Sequence, residues 1–284
     1  MSYRIGIIGV GAIGSVVGGM LTKAGHDVTL IDQWPDHVEA MKKVGLRLSG
    51  TCGEHLIPVR ALLIHELQSV AEPFDAVFIS VKSYDTEWAV ALGLQYLKKP
   101  DGVVVDFQNG VNDERVAAVA GRERCLGCVI TIGAGMYDPG HAIRTDRSQV
   151  GFKIGEHDGK VTERAERLAK LMCDVAPTTV TTNLWGERWS KLSVNCMAND
   201  LAGLSGLGSA EVRSRDGARR VASISRPRPS RSAAPAATRW NRSGVSPPSA
   251  SSTPPRDGRW PRWSATWRSG RRSWRAAARR CSRT

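Results

Sequence analysis

Apolar runs and amphipathic stretches alternate along the first part of the chain. The run "YRIGIIGV" predicts a buried parallel strand, and "SVVGGMLTKAG" after it has the length of a helix that stops at glycine. "HDVTLID", "DAVFISVK" and "GVVVDFQNG" predict further strands, and residues 46–64 alternate loosely enough to predict a hairpin. Because these strands alternate with helical patterns, we expect an α/β fold with a doubly wound parallel sheet of Rossmann type.

The pattern changes close to Pro177. Before it, "VTERAERLAKLMCDV" predicts an amphipathic helix. Its apolar face consists of Leu168, Leu171, Met172 and Val175. After it, "LWGERWSKLSVNCMANDLAGLSG" begins a helical region, and leucine ends at Leu207. We therefore expect a Rossmann domain over residues 1–177 and the start of a helical domain over residues 178–221.

A glycine-rich turn joins the first predicted strand to the first predicted helix. Gly9, Gly11 and Gly14, with Ala12 and Ile13 between them, match the pattern G-x-G-x-x-G in the strand–turn–helix context that the motif requires. The glycines allow a tight turn close to a pyrophosphate, and the helix N-terminus offers it unpaired N–H groups. The turn therefore predicts a dinucleotide site, with a glycine turn that binds no ligand as the alternative.

The residue that ends the second predicted strand bears on the choice of cofactor. Asp32 can accept hydrogen bonds from the ribose hydroxyls of an adenosine and would repel a 2′-phosphate. No arginine follows within "DQWPDH" to bind such a phosphate. Asp32 thus favours NADH over NADPH, unless it is a solvated surface aspartate.

Three polar residues recur at helical spacing in "ERWSKLSVNCMAND". Lys191, Asn195 and Asn199 lie at i, i+4 and i+8, so they share one face of a helix. Lysine can supply a proton and a positive charge, while asparagine can hold hydroxyl or carboxylate groups without competing for that proton. The stripe suits the wall of a catalytic cleft, although a solvated helix face has the same spacing.

Here a family resemblance becomes specific. "WSKLSVNCMAN" resembles the signature helix of the ketopantoate reductase family, the 2-dehydropantoate 2-reductases, and "GVGAIG", "SVKSYDT" and "FQNGVND" are similar to that family in the same order, over about residues 3–221. The resemblance implies reduction of a 2-oxo acid, ketopantoate to pantoate, by NAD(P)H, with NADPH the usual cofactor. β-Hydroxyacid dehydrogenases also join a Rossmann domain to a helix with Lys and Asn. They remain an alternative, as does a non-catalytic dinucleotide-binding protein.

The resemblance also implies the role of five residues. Lys191 would donate the proton, Asn195 would bind substrate and Asn199 would extend the substrate site. Lys82 would contact the cofactor and the substrate side, and Asn109 would orient the catalytic lysine and bind both substrate and cofactor. Lys82 and Asn109 also follow predicted strands, where open α/β sheets bind ligands. A surface lysine and a turn-forming Asn-Gly fit those two positions equally well.

The formal net charge of +13 is distributed unevenly. Nineteen arginines and two aspartates from Val212 to Thr284 give that segment +17, which leaves −4 for residues 1–211. A mildly acidic body suits a cytoplasmic enzyme that acts on a small molecule and binds neither membrane nor nucleic acid. A homodimer is one assembly that such a chain can form. The uncharged stretch at residues 5–22 contains six glycines and lacks a basic start, which argues against a signal peptide or membrane helix.

Residues 222–284 have a composition unlike the rest of the chain. They lack Lys, Glu, Gln, His, Leu and Phe, yet they hold five of the nine tryptophans. A packed helical domain needs aliphatic residues, whereas GC-rich coding sequence read out of frame yields Arg, Pro, Ser, Ala and Trp. We hypothesise a frameshift near Ala222 that leaves a disordered tail and weak reductase activity. An RNA- or DNA-binding tail, in which Arg neutralises phosphates and Trp stacks on bases, is the alternative.

Cys125 and Cys128 form a CxxC motif. It lies inside the apolar run "RCLGCVITIG", and no second CxxC or histidine pair completes a zinc set. We therefore expect two buried thiols and no metal site.

Overall fold

The structure is a computed structural model that describes residues 3–146 and 151–224. The predicted tail from Ala222 lies outside the described residues, apart from the backbone of a short helix that reaches Ile224. None of the helices in the described ranges is long and apolar enough to cross a membrane.

The described strands and helices alternate through most of the chain, as the hydrophobic pattern predicts. The strands are β1 (Arg4–Ile8), β2 (Asp27–Asp32), β3 (Leu46–Gly50), β4 (His55–Ile57), β5 (Arg60–Leu63), β6 (Ala76–Ile79), β7 (Val103–Asp106), β8 (Cys125–Ile130), β9 (Ala134–Asp138), β10 (His141–Arg144), β11 (Phe152–Gly155) and β12 (Thr178–Val180). The helices are α1 (Ala12–Lys23), α2 (Pro35–Val44), α3 (Thr86–Gln95), α4 (Asp113–Ala120), α5 (Glu163–Met172), α6 (Leu184–Ser205), α7 (Ser209–Ser214) and α8 (Asp216–Ile224).

The main sheet has eight strands in the order β12-β11-β8-β7-β6-β1-β2-β5. The six from β8 to β5 pair in parallel, with β1 at the centre, which confirms the predicted Rossmann arrangement. The remaining edge differs from the expected all-parallel sheet, because β11 pairs antiparallel with β8. The chain passes through β9 and β10 between these two strands instead of a helical crossover, so it enters β11 from the opposite end.

A second sheet of four strands, in the order β4-β3-β10-β9, was not predicted. The hairpin expected at residues 46–64 is present as β3 and β4, which pair antiparallel. The end of this segment differs from the prediction, because β5 does not belong to the hairpin. It pairs in parallel with β2 in the main sheet. The second sheet lies against α1, the helix that follows the glycine-rich turn.

Two apolar clusters fill the two faces of the main sheet. Ile7 of β1 belongs to the cluster that α1 and α5 cover, and its neighbour Ile8 belongs to the cluster that α3 and α4 cover. Successive residues of a strand point to opposite faces, so both faces of β1 are buried under helices. The apolar face predicted for α5 is confirmed as buried in the first cluster. Because helices cover both faces of the sheet, we expect a ligand to bind at the carboxyl ends of the central strands.

Candidate functional site

The three glycines of the turn after β1 meet three different surroundings. Gly9 has a φ of +93°, and a Cβ there would lie 2.6 Å from the backbone nitrogen of Val81. A Cβ on Gly14 would lie 2.4 Å from the carbonyl oxygen of Gly9. A Cβ on Gly11 would have no described atom within 4 Å. Gly9 and Gly14 are therefore required by the packing of the turn, while Gly11 faces open space that a ligand can enter.

The N-terminus of α1 faces the same open space. The helix begins at Ala12 with Gly11 as its N-cap, and no side chain of the described residues caps it. The first N–H groups of a helix, here those of Ala12 and Ile13, have no partner within the helix and carry a partial positive charge. Uncapped N–H groups beside an open glycine fit the pyrophosphate of a dinucleotide, because they can donate to its oxygens.

Asp32 lies at the end of β2, next to the glycine turn. Its Oδ2 accepts a hydrogen bond from the N–H of Val10 at 2.6 Å, and its Oδ1 accepts one from the N–H of Trp34 at 2.9 Å. The carboxylate is half-buried. Each carboxylate oxygen can accept more than one hydrogen bond, so Asp32 can still bind ribose hydroxyls while it holds the turn. The sequence pattern did not indicate this second, structural role.

A buried histidine, His37, is connected to the glycine turn through Ser15. His37 is 0% exposed, and its Nδ1 accepts a hydrogen bond from the N–H of Gly140 at 2.8 Å. Burial lowers the pKa of His37, against the charge of Asp32, so the neutral ring carries its proton on Nε2, 3.4 Å from Ser15 Oγ. Ser15 Oγ in turn donates to the carbonyl oxygen of Val10 at 3.0 Å. His37 thus links the dinucleotide turn to the second sheet.

Lys82 and Asn109 follow β6 and β7, two strands that pair in parallel. Both side chains are exposed, and neither has a hydrogen-bond or ion-pair partner among the described residues. The loops that carry them are tied together, because Gln108 Nε2 donates to the carbonyl oxygen of Val81 at 2.8 Å. Asn112 Nδ2 also donates to the carbonyl oxygen of Asn109 at 3.0 Å. The structure therefore brings Lys82 and Asn109 to one edge of the sheet.

Lys191, Asn195 and Asn199 lie on α6, and the predicted helix is confirmed. Lys191 and Asn195 are half-buried, whereas Asn199 is exposed. Burial lowers the pKa of Lys191. Within the described part of the chain, none of these three side chains has a hydrogen-bond or ion-pair partner. A lysine that is partly shielded from water and unpaired can bind an oxygen of a substrate and give it a proton.

An ionic cluster, formed by Asp106, Asp113, His157 and Arg188, joins α6 to β7 and α4. Arg188 is 2% exposed, and its Nη2 donates to Asp106 Oδ2 at 2.7 Å and to Asp113 Oδ1 at 3.1 Å. His157 Nε2 lies 3.1 Å from Asp113 Oδ1. Sequence analysis missed the cluster, although an aspartate at the end of the apolar run "GVVVDF" was a signal for it.

The two carboxylates of the ionic cluster differ in pKa. Burial raises the pKa of Asp106 to about 7, against the attraction of Arg188. Burial also opposes ionisation of Asp113, but the hydrogen bond with His157 and the charge of Arg188 outweigh it and lower the pKa of that group. The guanidinium is therefore shared between a carboxyl group whose ionisation burial opposes and one whose ionisation its partners favour.

The CxxC motif lies in β8, away from the glycine turn. Cys125 and Cys128 are buried, as predicted, and burial raises the pKa of Cys125 to about 12. Both are free thiols. In residues 3–146 and 151–224, no three His, Cys, Asp or Glu side chains are grouped so that they could hold a metal ion.

Comparisons with known proteins agree with this architecture. A sequence model of the family "Ketopantoate reductase PanE/ApbA" matches residues 5–159. The chain is 33% identical over 212 residues to a 2-dehydropantoate 2-reductase of Archaeoglobus fulgidus, covering 74% of this chain and 66% of the relative. It is 30% identical over 216 residues to that of Pyrococcus horikoshii, covering 75% and 67%. The chain therefore spans about two thirds of the length of these curated relatives.

Solved structures give the same result. A 2-dehydropantoate 2-reductase from Geobacter metallireducens GS-15 superposes with a TM-score of 0.69 at 26% identity, covering 77% of this chain and 71% of the other. A PanE/ApbA family ketopantoate reductase from Ralstonia eutropha JMP134 superposes with a TM-score of 0.66 at 29% identity, covering 78% and 70%. With more than half of its residues matched by the family model, this chain belongs to the ketopantoate reductase family.

Proposed function

We propose that the chain binds NAD(P)H and reduces a 2-oxo acid, ketopantoate to pantoate, with Lys191 as the proton donor. The observation that carries the proposal is the half-buried, unpaired Lys191 on α6, in a chain whose glycine turn fits a dinucleotide. The curated relatives named 2-dehydropantoate 2-reductase support the same substrate.

The bound cofactor would supply a hydride to the carbonyl carbon of the 2-oxo acid. Negative charge then develops on the carbonyl oxygen, and the ammonium group of Lys191 stabilises that charge and transfers a proton to it. Because burial lowers the pKa of Lys191, its proton is easier to transfer than that of an exposed lysine. No metal ion is needed in this scheme.

Four further unpaired polar side chains supply the substrate and cofactor contacts in this proposal. Asn195, one helical turn after Lys191, binds the substrate, and Asn199 extends the site. Asn109 orients the lysine, and Lys82 contacts the cofactor on the substrate side. Their support is that all four lack partners among the described residues and can therefore bind ligands. A homodimer and a cytoplasmic location stay predictions from the sequence.

The function is tested by turnover and by dinucleotide binding, measured separately. Because residues 222–284 do not resemble the family, we expect weak turnover of ketopantoate by this chain and higher turnover by a chain whose reading frame is restored from residue 222. Both chains are expected to bind NADH or NADPH. Loss of the reduced nicotinamide absorbance and formation of pantoate, detected by mass spectrometry, are the measurements. A frame-restored chain that binds dinucleotide but reduces no 2-oxo acid would overturn the proposal.

The cofactor preference is expected to depend on Asp32. The unmutated chain should bind NADH roughly tenfold more tightly than NADPH at low salt, which corresponds to about 1.4 kcal/mol of repulsion between the carboxylate and a 2′-phosphate. Asp32→Arg should reverse the preference. Titration with both cofactors gives the dissociation constants.

Asp32→Asn is the control for that experiment, since it removes the charge and keeps one acceptor oxygen for one of the two backbone N–H groups that Asp32 binds. It should lose the preference between NADH and NADPH, and its melting temperature should fall less than that of Asp32→Arg, which keeps neither acceptor oxygen. Tighter binding of NADPH by the unmutated chain would show that this interpretation of Asp32 is wrong.

A further inference from the structure

We propose that Arg188 is a positioning residue, which fixes the distance between Lys191 and the turn that carries Asn109. The proposal rests on the proposed function, because it takes Lys191 as the proton donor. Arg188 itself is buried and would act through the segments that it binds.

Arg188 binds the end of β7 at three points. Its Nη2 donates to the carboxylate Oδ2 of Asp106 at 2.7 Å and to the carbonyl oxygen of the same residue at 3.1 Å. Its Nη1 donates to the carbonyl oxygen of Gln108 at 2.9 Å. Gln108 is the residue before Asn109, so the guanidinium holds the backbone from which the Asn109 turn starts.

The same guanidinium binds the first turn of α4. Its Nη2 donates to Asp113 Oδ1 at 3.1 Å, and its Nε lies 3.0 Å from Asp113 Oδ2. Asp113 begins α4, and His157 fixes its carboxylate from the other side. The loop from β7 to α4 is therefore held by Arg188 at both ends, and Asn109 lies within that loop.

Arg188 is also connected to Lys191, because both residues lie on α6. Arg188 and Lys191 lie three residues apart on α6, which makes them neighbours on the helix surface. A helix is rigid over one turn, so the position of the Arg188 guanidinium determines where the Lys191 side chain starts. Gln108 also binds the carbonyl oxygen of Val81, the residue before Lys82. Arg188 thus connects the three segments that carry Lys191, Asn109 and Lys82.

A contribution to folding stability alone does not explain why a charged Arg188 is buried here. A buried ion pair is often no more stabilising than apolar residues of the same volume, because the charges lose their hydration. The guanidinium makes contacts in fixed and diverging directions, which the single ammonium group of a lysine cannot reproduce. Arg188→Lys therefore keeps the charge that balances Asp106 and Asp113 but loses the geometry.

The experiment measures Lys191 directly in the full chain. The rate of acylation of Lys191 by acetic anhydride is followed against pH by peptide mass spectrometry, which needs no turnover. In Arg188→Lys we expect α6 to shift and Lys191 to become more exposed to water. Its reactivity midpoint should then rise toward that of an ordinary lysine, while the dissociation constant for NADH changes by less than about threefold.

Arg164→Lys is the matched control. Arg164 on α5 also pairs with a buried carboxylate, that of Glu156, at 2.7 Å. It should lower the melting temperature and leave the acylation profile of Lys191 unchanged. An unchanged profile in Arg188→Lys, or an equal change in both variants, would overturn the proposal and leave Arg188 a structural residue.

If Arg188→Lys does not fold, Asp113→Asn tests the same connection, since it weakens one arm of the guanidinium contact and keeps the volume. The Lys191 profile should shift in the same direction by a smaller amount, and no shift would again overturn the proposal. Failure of the proposed function is a separate result, because it would be seen as unaltered turnover when Lys191 itself is replaced.

Discussion

Lys191→Ala is expected to lower kcat for ketopantoate by about 10²- to 10⁴-fold in the frame-restored chain, the range typical of a lost general acid. Cofactor affinity should change little, because the glycine turn and Asp32 lie on β1, α1 and β2 and not on α6. The reason for the loss is that water must replace an ammonium group that burial has already made more acidic. Steady-state kinetics and a cofactor titration give the two quantities.

The pH profile and a control lysine complete this test. The proton donor acts in its charged form, so turnover of the unmutated enzyme should fall as pH rises through the lowered pKa of Lys191. This limb should be absent from the residual activity of Lys191→Ala. Lys170→Ala, at an exposed position of α5, should leave kcat unchanged. If Lys191→Ala turns over ketopantoate at the unmutated rate, another group donates the proton.

Gly11→Ala and Gly14→Ala are expected to affect different properties, the first dinucleotide binding and the second folding stability. Gly11→Ala should fold normally, since its Cβ would have no described neighbour within 4 Å, and should weaken dinucleotide binding by about 10- to 100-fold because the methyl group occupies the path of the pyrophosphate. Gly14→Ala should lower the free energy of unfolding by about 1–3 kcal/mol, because its Cβ would meet the Gly9 carbonyl oxygen. Chemical denaturation and cofactor titration measure the two effects.

Gly203→Ala in α6 serves as the control for the alanine substitutions. A Cβ there would also have no described atom within 4 Å, and the residue is exposed and distant in sequence from the turn. It should leave dinucleotide affinity unchanged and stabilise the helix slightly, by about 0.5–1 kcal/mol at most. Unaltered affinity in Gly11→Ala would mean that the dinucleotide does not bind at the turn.

Much of the main sheet could be predicted from sequence because its signals are local. Uninterrupted apolar runs mark buried strands, and the glycine motif marks the strand-to-helix turn. The direction of β11 and the second sheet depend on which distant strands pair, and apolar alternation carries no information about the partner. For this reason β9 and β10 could be expected as strands but not assigned to a separate sheet.

The candidate site also contains some residues that the sequence pattern reveals and others that it does not. Lys191, Asn195 and Asn199 were found because their helical spacing is visible in the sequence, and their roles stay predictions. His37 and Arg188 were missed, because a histidine in the first turn of one helix and an arginine in another are normally solvated. Their burial follows from contacts with Gly140 and Asp106, more than 80 residues away in each case.

The position of Arg188 in the chain has a consequence for how the protein folds during synthesis. Asp106 and Asp113 leave the ribosome long before the arginine that binds them, 82 and 75 residues later. A nascent chain that ends at residue 177 contains the strand β7 but lacks the guanidinium, so the two carboxyl groups would have to enter the core without their arginine partner. We therefore expect the sheet to reach its final packing only after α6 has been synthesised, which makes α6 part of the folding unit of the Rossmann domain.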